Sequence, residues 1–404
     1  MCPQDIKRSL RGLDWLNFFL ADVQSGVGPF LAIYLASRGW NEQSVGIALT
    51  VGGIAGIIAQ TPAGAITDRV RSKRALIAGG VLSLGLGALI IAAFPFFWAI
   101  MSAQTLIGAG ASVFGPTVCA ISLGLVGREL FDRRQGRNQT LNSAGNVVAA
   151  VSMGLIGYFF SNRGIFFFVI AFTVPTLWAL STIKADQIDY QVARGADGRD
   201  EHSAPARVLQ LAESRPLIVF MICAVLFHFA NAAMLPLLGE MLAKGHGRSS
   251  MMFMSACVVT TQMVVTLIAS WSGRKAHHWG RKPLLLLGFA VLPVRGVLYT
   301  LTNAPIPLIA IQVLDGIGVA IFGVVSVLVI ADLTRGSGRF NLTQGAVTTA
   351  VGIGAALSQS IAGGIVHAFG YRAGFLFLSA VALAALAILH FFMPETRAQQ
   401  DGVH

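Results

Sequence analysis

Charge is what this sequence has least of. Asp, Glu, Lys and Arg make up 12% of its 404 residues, about half the share found in an ordinary soluble domain. Hydrophobic residues reach 55% and the mean hydropathy is +0.70. That leaves too little polar sequence to cover the two or three cores a soluble chain of this length would need, which excludes a soluble enzyme and a disordered chain. Cysteine is scarce as well. Cys2, Cys119, Cys223 and Cys257 form no CxxC and no paired spacing, so neither a disulfide framework nor a zinc site is indicated. No GxxxxGK[ST] run occurs, which argues against ATP drive. Strand-type alternation is also missing, which argues against an outer-membrane barrel.

Long apolar runs are what the sequence does have. About 20 consecutive apolar residues cross a bilayer as a helix, and runs between polar breaks predict twelve such spans. In the first half they lie near 13–37, 44–66, 74–95, 97–126, 138–161 and 163–183; in the second, near 215–243, 250–272, 282–303, 305–333, 340–367 and 370–393. Residues 1–12 are polar and lead into the first run without an early small-residue cleavage site. The first run therefore reads as a retained helix and not a signal peptide. The expected fold class is an all-α membrane protein. Its domains are a six-helix bundle over 1–183, a cytoplasmic linker over 184–214 and a second six-helix bundle over 215–404. A short amphipathic helix is expected around 205–213.

The net charge of +11 invites thoughts of nucleic acid, but its placement answers otherwise. Of 29 Lys and Arg residues, 23 fall on the side shared by the tails and the even-to-odd loops. Five (Arg38, Arg163, Lys244, Arg248 and Arg372) fall opposite, and Arg295 lies inside a span. This is the positive-inside pattern. It predicts cytoplasmic termini, a multi-pass protein of the cytoplasmic (inner) membrane, the lipid bilayer as partner, and no nucleic acid.

The halves are copies of each other. Shifting residues 104–115 by 208 places Gln104, Leu106, Gly108, Gly110, Phe114 and Gly115 on Gln312, Leu314, Gly316, Gly318, Phe322 and Gly323. Gly64 and Lys73 meet Gly273 and Lys282 at an offset of 209, and Pro29 and Gly157 meet Pro236 and Gly364 at 207. Parallel repeats about an axis along the membrane normal are a transporter architecture.

At the loop between the second and third spans the sequence runs from Gly64 through Asp68, Arg69 and Arg71 to Lys73 and Arg74. Its repeat partner runs from Gly273 through His277 to Gly280, Arg281 and Lys282. With twelve spans, a central linker and the duplication, these motifs resemble the major facilitator superfamily, and the chain is similar to its bacterial efflux-type branch. The fourth-span Arg common in proton-coupled exporters is absent, Gln104 opening the corresponding stretch. The resemblance implies two bundles related by pseudo-twofold symmetry that rock about a cavity lined by spans 1, 4, 7 and 10. It also implies a cytoplasmic gate at Gly64, Asp68, Arg69, Lys73, Arg74, Gly280, Arg281 and Lys282, with Glu129 and Asp132 as partners for its basic groups.

Charges within spans are costly and tend to face a cavity or a partner. Asp22, about ten residues into span 1, is the first candidate for proton coupling, with His228 of span 7 the second. Arg295 and Asp315 lie at matching depths on either side of the turn near 304, and they predict a buried ion pair. Gln24, Gln104, Asn231, Gln262, Gln312 and Asp315 are candidate substrate-binding residues, and Asn142 and Asn146 add to them. Six of the 11 Met residues fall between 234 and 263, near Cys257 and His228. Thioethers and thiols suit soft metals, but Met is also an adaptable filler of apolar helices, and no metal or cofactor is expected. No nucleophile–base pair marks an enzyme. The sequence predicts a monomeric secondary transporter for a small molecule, with proton-coupled export of an amphipathic neutral or cationic compound as the leading mode. Proton-coupled uptake of a sugar or organic acid is the alternative.

Overall fold

The computed structural model describes residues 3–25, 28–193, 214–333 and 340–396. Among these residues there are helices and no strand. The first half holds α1 (Pro3–Ser25), α2 (Pro29–Ser37), α3 (Glu42–Arg69), α4 (Lys73–Ala93), α5 (Phe97–Ala111), α6 (Phe114–Phe159), α7 (Gly164–Thr182) and the short α8 (Tyr190–Ala193). The second holds α9 (Arg215–Ala232), α10 (Met234–His246), α11 (Ser249–Trp279), α12 (Arg281–Tyr299), α13 (Pro305–Leu333), α14 (Phe340–Phe369) and α15 (Tyr371–Phe392). Each of the twelve expected spans coincides with helix. Among the described residues ten stretches are long and apolar enough to cross a membrane. The expected spans 13–37 and 138–161 are not among them; in the second, Asn142 and Asn146 lower the hydropathy.

Several helices, α4 among them, are apolar all round, as bilayer helices are. On α4, Ile77, Val81, Leu84, Ala88 and Ile91 are buried while Leu82, Leu86 and Leu89 are exposed. Such exposed side chains are what lipid would cover.

Two expectations need correction. The basic stretch 128–137, read as a loop, is helical and continues α6 to Phe159. Its Arg, Glu, Leu and Gln residues are good helix formers, and the turn the chain needs is made by Gly127 alone, at φ 72°. Span 7, read as one helix, is broken at Ala233. Pro236 has no N–H to give the carbonyl four residues earlier, and that carbonyl, of Ala232, instead accepts a hydrogen bond from Gln359 Nε2 at 3.0 Å. The repeat partner, Pro29, likewise opens a new helix after Gly28.

The chain divides into two compact units. One comprises Met1–Trp40, Ile47–His202 and Ala243–Ser255; the other comprises Asn41–Gly46, Ser203–Leu242 and Ala256–His404. In the first, α1 packs on α6 and α7, and α4 on α5 and α7; in the second, α9 packs on α14 and α15, and α12 on α13 and α15. The expected helix at 205–213 lies outside the described residues.

Close helix crossings repeat between the units at the sequence offset. A Cβ on Gly145 of α6 would strike the carbonyl of Phe18 on α1, and one on Gly354 of α14 would strike that of Val225 on α9. Gly80 abuts Gly110 as Gly288 abuts Gly318, and Gly108 abuts Gly52 as Gly316 abuts Thr261. The duplication is thus written in backbone contacts as well as in residue identities. Gly354→Ala is therefore expected to destabilise the protein by about 1–3 kcal/mol through overpacking. Gly323→Ala, with open space around the added methyl, should leave stability unchanged or slightly raised. Thermal unfolding in detergent compares them.

Candidate functional site

The second unit carries a buried polar network inside its helices. Arg295 of α12 is 0% exposed, and its Nη1 donates to Asp315 Oδ1 of α13 in an ion pair. The same Nη1 donates to Asn231 Oδ1 of α9 at 2.6 Å, and Nε donates to the Tyr299 hydroxyl at 3.0 Å. Gln312 Nε2 also donates to that hydroxyl at 2.7 Å, and Thr261 Oγ1 of α11 donates to Asp315 Oδ2 at 3.1 Å. Four helices of the second unit are thereby tied through one guanidinium–carboxylate pair. Two buried atoms of the network, Arg295 Nη2 and Gln312 Oε1, have no hydrogen-bond partner.

The repeat supplies an internal comparison. At an offset of 208, Arg295 corresponds to Gly87 and Asp315 to Ile107. In the first unit a Cβ on Gly87 would strike the side chain of Ile107, so the same helix crossing is closed by plain apolar contact. The crossing does not require a charge pair to pack. A buried pair is costly to desolvate and weak as a stabiliser, while breaking it by removing one partner is expensive.

The structure brings Asn231, Gln312, Arg295 and Asp315 together. Gln104 is 1% exposed and donates through Nε2 to the Ala48 carbonyl of α3 at 3.2 Å, a helix-to-helix bond. Gln262 lies half-buried on α11, beside Thr261. His228 of α9 stands edge-on to Phe322 at 4.8 Å and has a buried Nε2 without a partner. Phe322 also stacks on Phe227 at 4.8 Å, so the imidazole sits against an aromatic cluster and outside the network. The side chains of Asp22 and Gln24 lie outside the described residues.

The loop motifs build different structures in the two units. Asp68, Arg69, Glu129, Asp132 and His277 have side chains outside the described residues. Gly64 has open space about it. Lys73 is buried, donates through Nζ to the Thr67 carbonyl and lies 5.3 Å from the Tyr190 ring centroid. Arg74 is half-buried, and its Nε has no partner. In the second unit Gly280, at φ 95°, leads into α12. The carboxylate of Glu395 caps the helix by accepting from the backbone N–H groups of Arg281 and Lys282 at 2.8 and 3.0 Å. An acid at a helix N-terminus is favoured by the dipole. Gly280 is needed twice over, since a Cβ there would also meet Glu395 Oε2 at 2.5 Å. Arg281 pairs with Asp332 at 2.9 Å, within its own unit.

Sequence reasoning passed over Asp14, Tyr299, Asp332 and Glu395. Asp14 of α1 holds Arg134 at 2.6 Å and Arg137 at 2.7 Å. Burial lowers the Arg134 guanidinium from its usual value against the pull of Asp14, while the hydrogen bond to Asp14 raises that of exposed Arg137. A signal existed for Tyr299, which lies one helical turn beyond Arg295.

Comparison with known proteins fits this architecture. The family model of the Major Facilitator Superfamily matches residues 14–292 and 220–403. An uncharacterized MFS-type transporter of Mycobacterium tuberculosis is 45% identical over 392 residues, covering 96% of this chain and 94% of the relative. Multidrug resistance protein 2 of Bacillus subtilis is 26% identical over 148 residues, 37% of this chain and 36% of that protein. Among solved structures, the nucleoside transporter NupG superposes with a TM-score of 0.79 at 13% identity, covering 95% of this chain and 98% of that one. A POT family transporter superposes with a TM-score of 0.75 at 11% identity, covering 98% and 97%. These structural likenesses concern the fold.

Proposed function

The chain belongs to the major facilitator superfamily, and from that premise we propose that it exports an amphipathic neutral or cationic small molecule in exchange for protons. It is a membrane transporter of the MFS type; cargo, coupling and direction are the proposal. The observation that carries it is the neutralisation of Arg295. This is the Lys or Arg residue that falls deep within an expected span and not at its end, and its charge is matched by Asp315. With that charge matched, Arg295 would not attract an anionic cargo, and a neutral or cationic one meets no electrostatic barrier from it. The partial likeness to Multidrug resistance protein 2 supports export as the direction. Asp22 carries the proton in this reading, as intramembrane carboxyls do in proton relays. His228 serves as a second polar group at nearly the same depth of the repeat. The protein works as a monomer in the cytoplasmic membrane with both termini inside.

Purified protein in proteoliposomes tests this with ethidium as the cationic probe. An inside-acid gradient should drive ethidium into the vesicles, because protons leaving exchange for probe entering in either orientation of the protein. Accumulation under an outside-acid gradient instead would mean symport and overturn the export reading.

A further inference from the structure

The first unit carries an open-sided pocket of about 230 Å³ whose polar lining is made of side-chain amides: Asn17 from α1, and Gln135, Asn138, Gln139 and Asn142 from α6. Leu20 and Val118 supply apolar wall. We propose that this cavity binds an uncharged solute through a cis-amide or imide edge, in which an N–H and a carbonyl lie side by side in one plane. The proposal rests on the transporter reading and specifies the hydrogen-bonding edge that a neutral cargo would present.

The α6 amides form a stripe. Positions 135, 138, 139 and 142, continued by Asn146, recur at the three- and four-residue spacing that puts side chains on one helix face. Among the described residues no charged side chain lines the cavity. The guanidinium of Arg134, beside Asn138, is held by Asp14 at 2.6 Å and donates to Asn138 Oδ1 at 2.8 Å.

Internal bonds use some of these amides and leave others for a ligand. Asn138 is committed, since its Nδ2 also donates to Ser122 Oγ at 2.8 Å. Asn17 Nδ2 donates to the Leu13 carbonyl at 2.8 Å, which leaves Oδ1 as an acceptor. Asn142 Oδ1 accepts from Asn146 Nδ2 at 3.2 Å, which leaves its own Nδ2 as a donor. Gln135 Oε1 accepts from Asn138 at 3.3 Å and keeps its amide hydrogens available. Gln139 is exposed and offers both kinds of group. A carboxamide presents donor and acceptor at a fixed separation in one plane, and so pairs bidentately with a group that does the same, as Asn and Gln do on an adenine edge. An anion would find no cation among the described lining residues, and a bare lipophilic cation would leave these amides unpaired, at a cost in desolvation. The volume is below the ~300–1,000 Å³ of pockets for drug-sized ligands, so the cavity admits a small ring or one portion of a larger molecule.

Equilibrium dialysis on the purified full-length protein, without any gradient, tests this with four probes. Uracil has the imide edge; 1,3-dimethyluracil keeps the ring and carbonyls but has no N–H; glucose has hydroxyls only; tetraphenylphosphonium is a cation without hydrogen-bonding groups. Uracil should bind at millimolar concentration or below. Dimethylation should weaken it, and so should Asn142→Leu and Gln139→Met, each by at least about tenfold, the loss of one bidentate pair. Gln139 is exposed, so its variant folds even if Asn142→Leu does not. Absence of uracil binding, equal binding of the dimethyl compound, unchanged binding in Gln139→Met, or binding of glucose or tetraphenylphosphonium in place of uracil would each overturn the proposal. Because no gradient is applied, failure here leaves proton exchange standing, and failure of gradient-driven flux leaves this site standing.

Discussion

Asp315→Asn is expected to destabilise the second unit by about 3–5 kcal/mol, the penalty for stranding one member of a buried pair. Arg295 is fully buried and cannot relax into water. Its remaining hydrogen bonds, to Asn231 and Tyr299, satisfy N–H groups but supply no counter-charge. The double variant Arg295→Met/Asp315→Leu should behave differently. It removes both charges at roughly constant volume, and replacements of this kind are often neutral or stabilising by 1–4 kcal/mol. The first unit, with Gly87 and Ile107 at the equivalent positions, already holds its crossing without charge. Denaturant or thermal unfolding in detergent separates the two variants. Transport measured on the stable double variant then isolates function from folding: retained flux assigns the pair to structure, and lost flux in a well-folded protein assigns it to the transport cycle.

The second large effect is expected at Asp22. Asp22→Asn should abolish accumulation driven by an imposed pH gradient while leaving exchange of cargo for cargo intact. An amide can form the hydrogen bonds of a protonated carboxyl but cannot give up the proton, so the carrier would shuttle loaded cargo yet fail to couple it. Ethidium accumulation under an inside-acid gradient, compared with counterflow of preloaded ethidium at uniform pH, reads both activities on one preparation. Unchanged gradient-driven uptake in the variant would remove Asp22 from the coupling step.

Much of this fold was legible because bilayer helices must be long and apolar, a requirement that survives any detail of packing. The duplication was legible for a related reason: glycines at crossings such as Gly108 and Gly316 are dictated by backbone approach and recur with the fold. The Arg295–Asp315 pairing could be reached by counting residues from one turn, since both helices run through the same slab. What could not be read depends on distant partners. Glu395 caps a helix that begins 114 residues earlier, and nothing local to residue 281 announces it. Asp14 holds Arg134 across 120 residues, and in the sequence Arg134 is one more basic residue on the cytoplasmic side. The helical stretch after Gly127 was hidden because abundant charge was read as loop, although that charge is carried by good helix formers.

The break at Pro236 has a mechanical corollary. A carbonyl satisfied by its own helix keeps its bond wherever the helix goes, but that of Ala232 is satisfied by Gln359 on α14. The junction of α9 with α10 and the position of α14 are therefore coupled through one hydrogen bond. Moving α14 away from the junction would leave a polar group bare in a medium that cannot solvate it, so the two shift together.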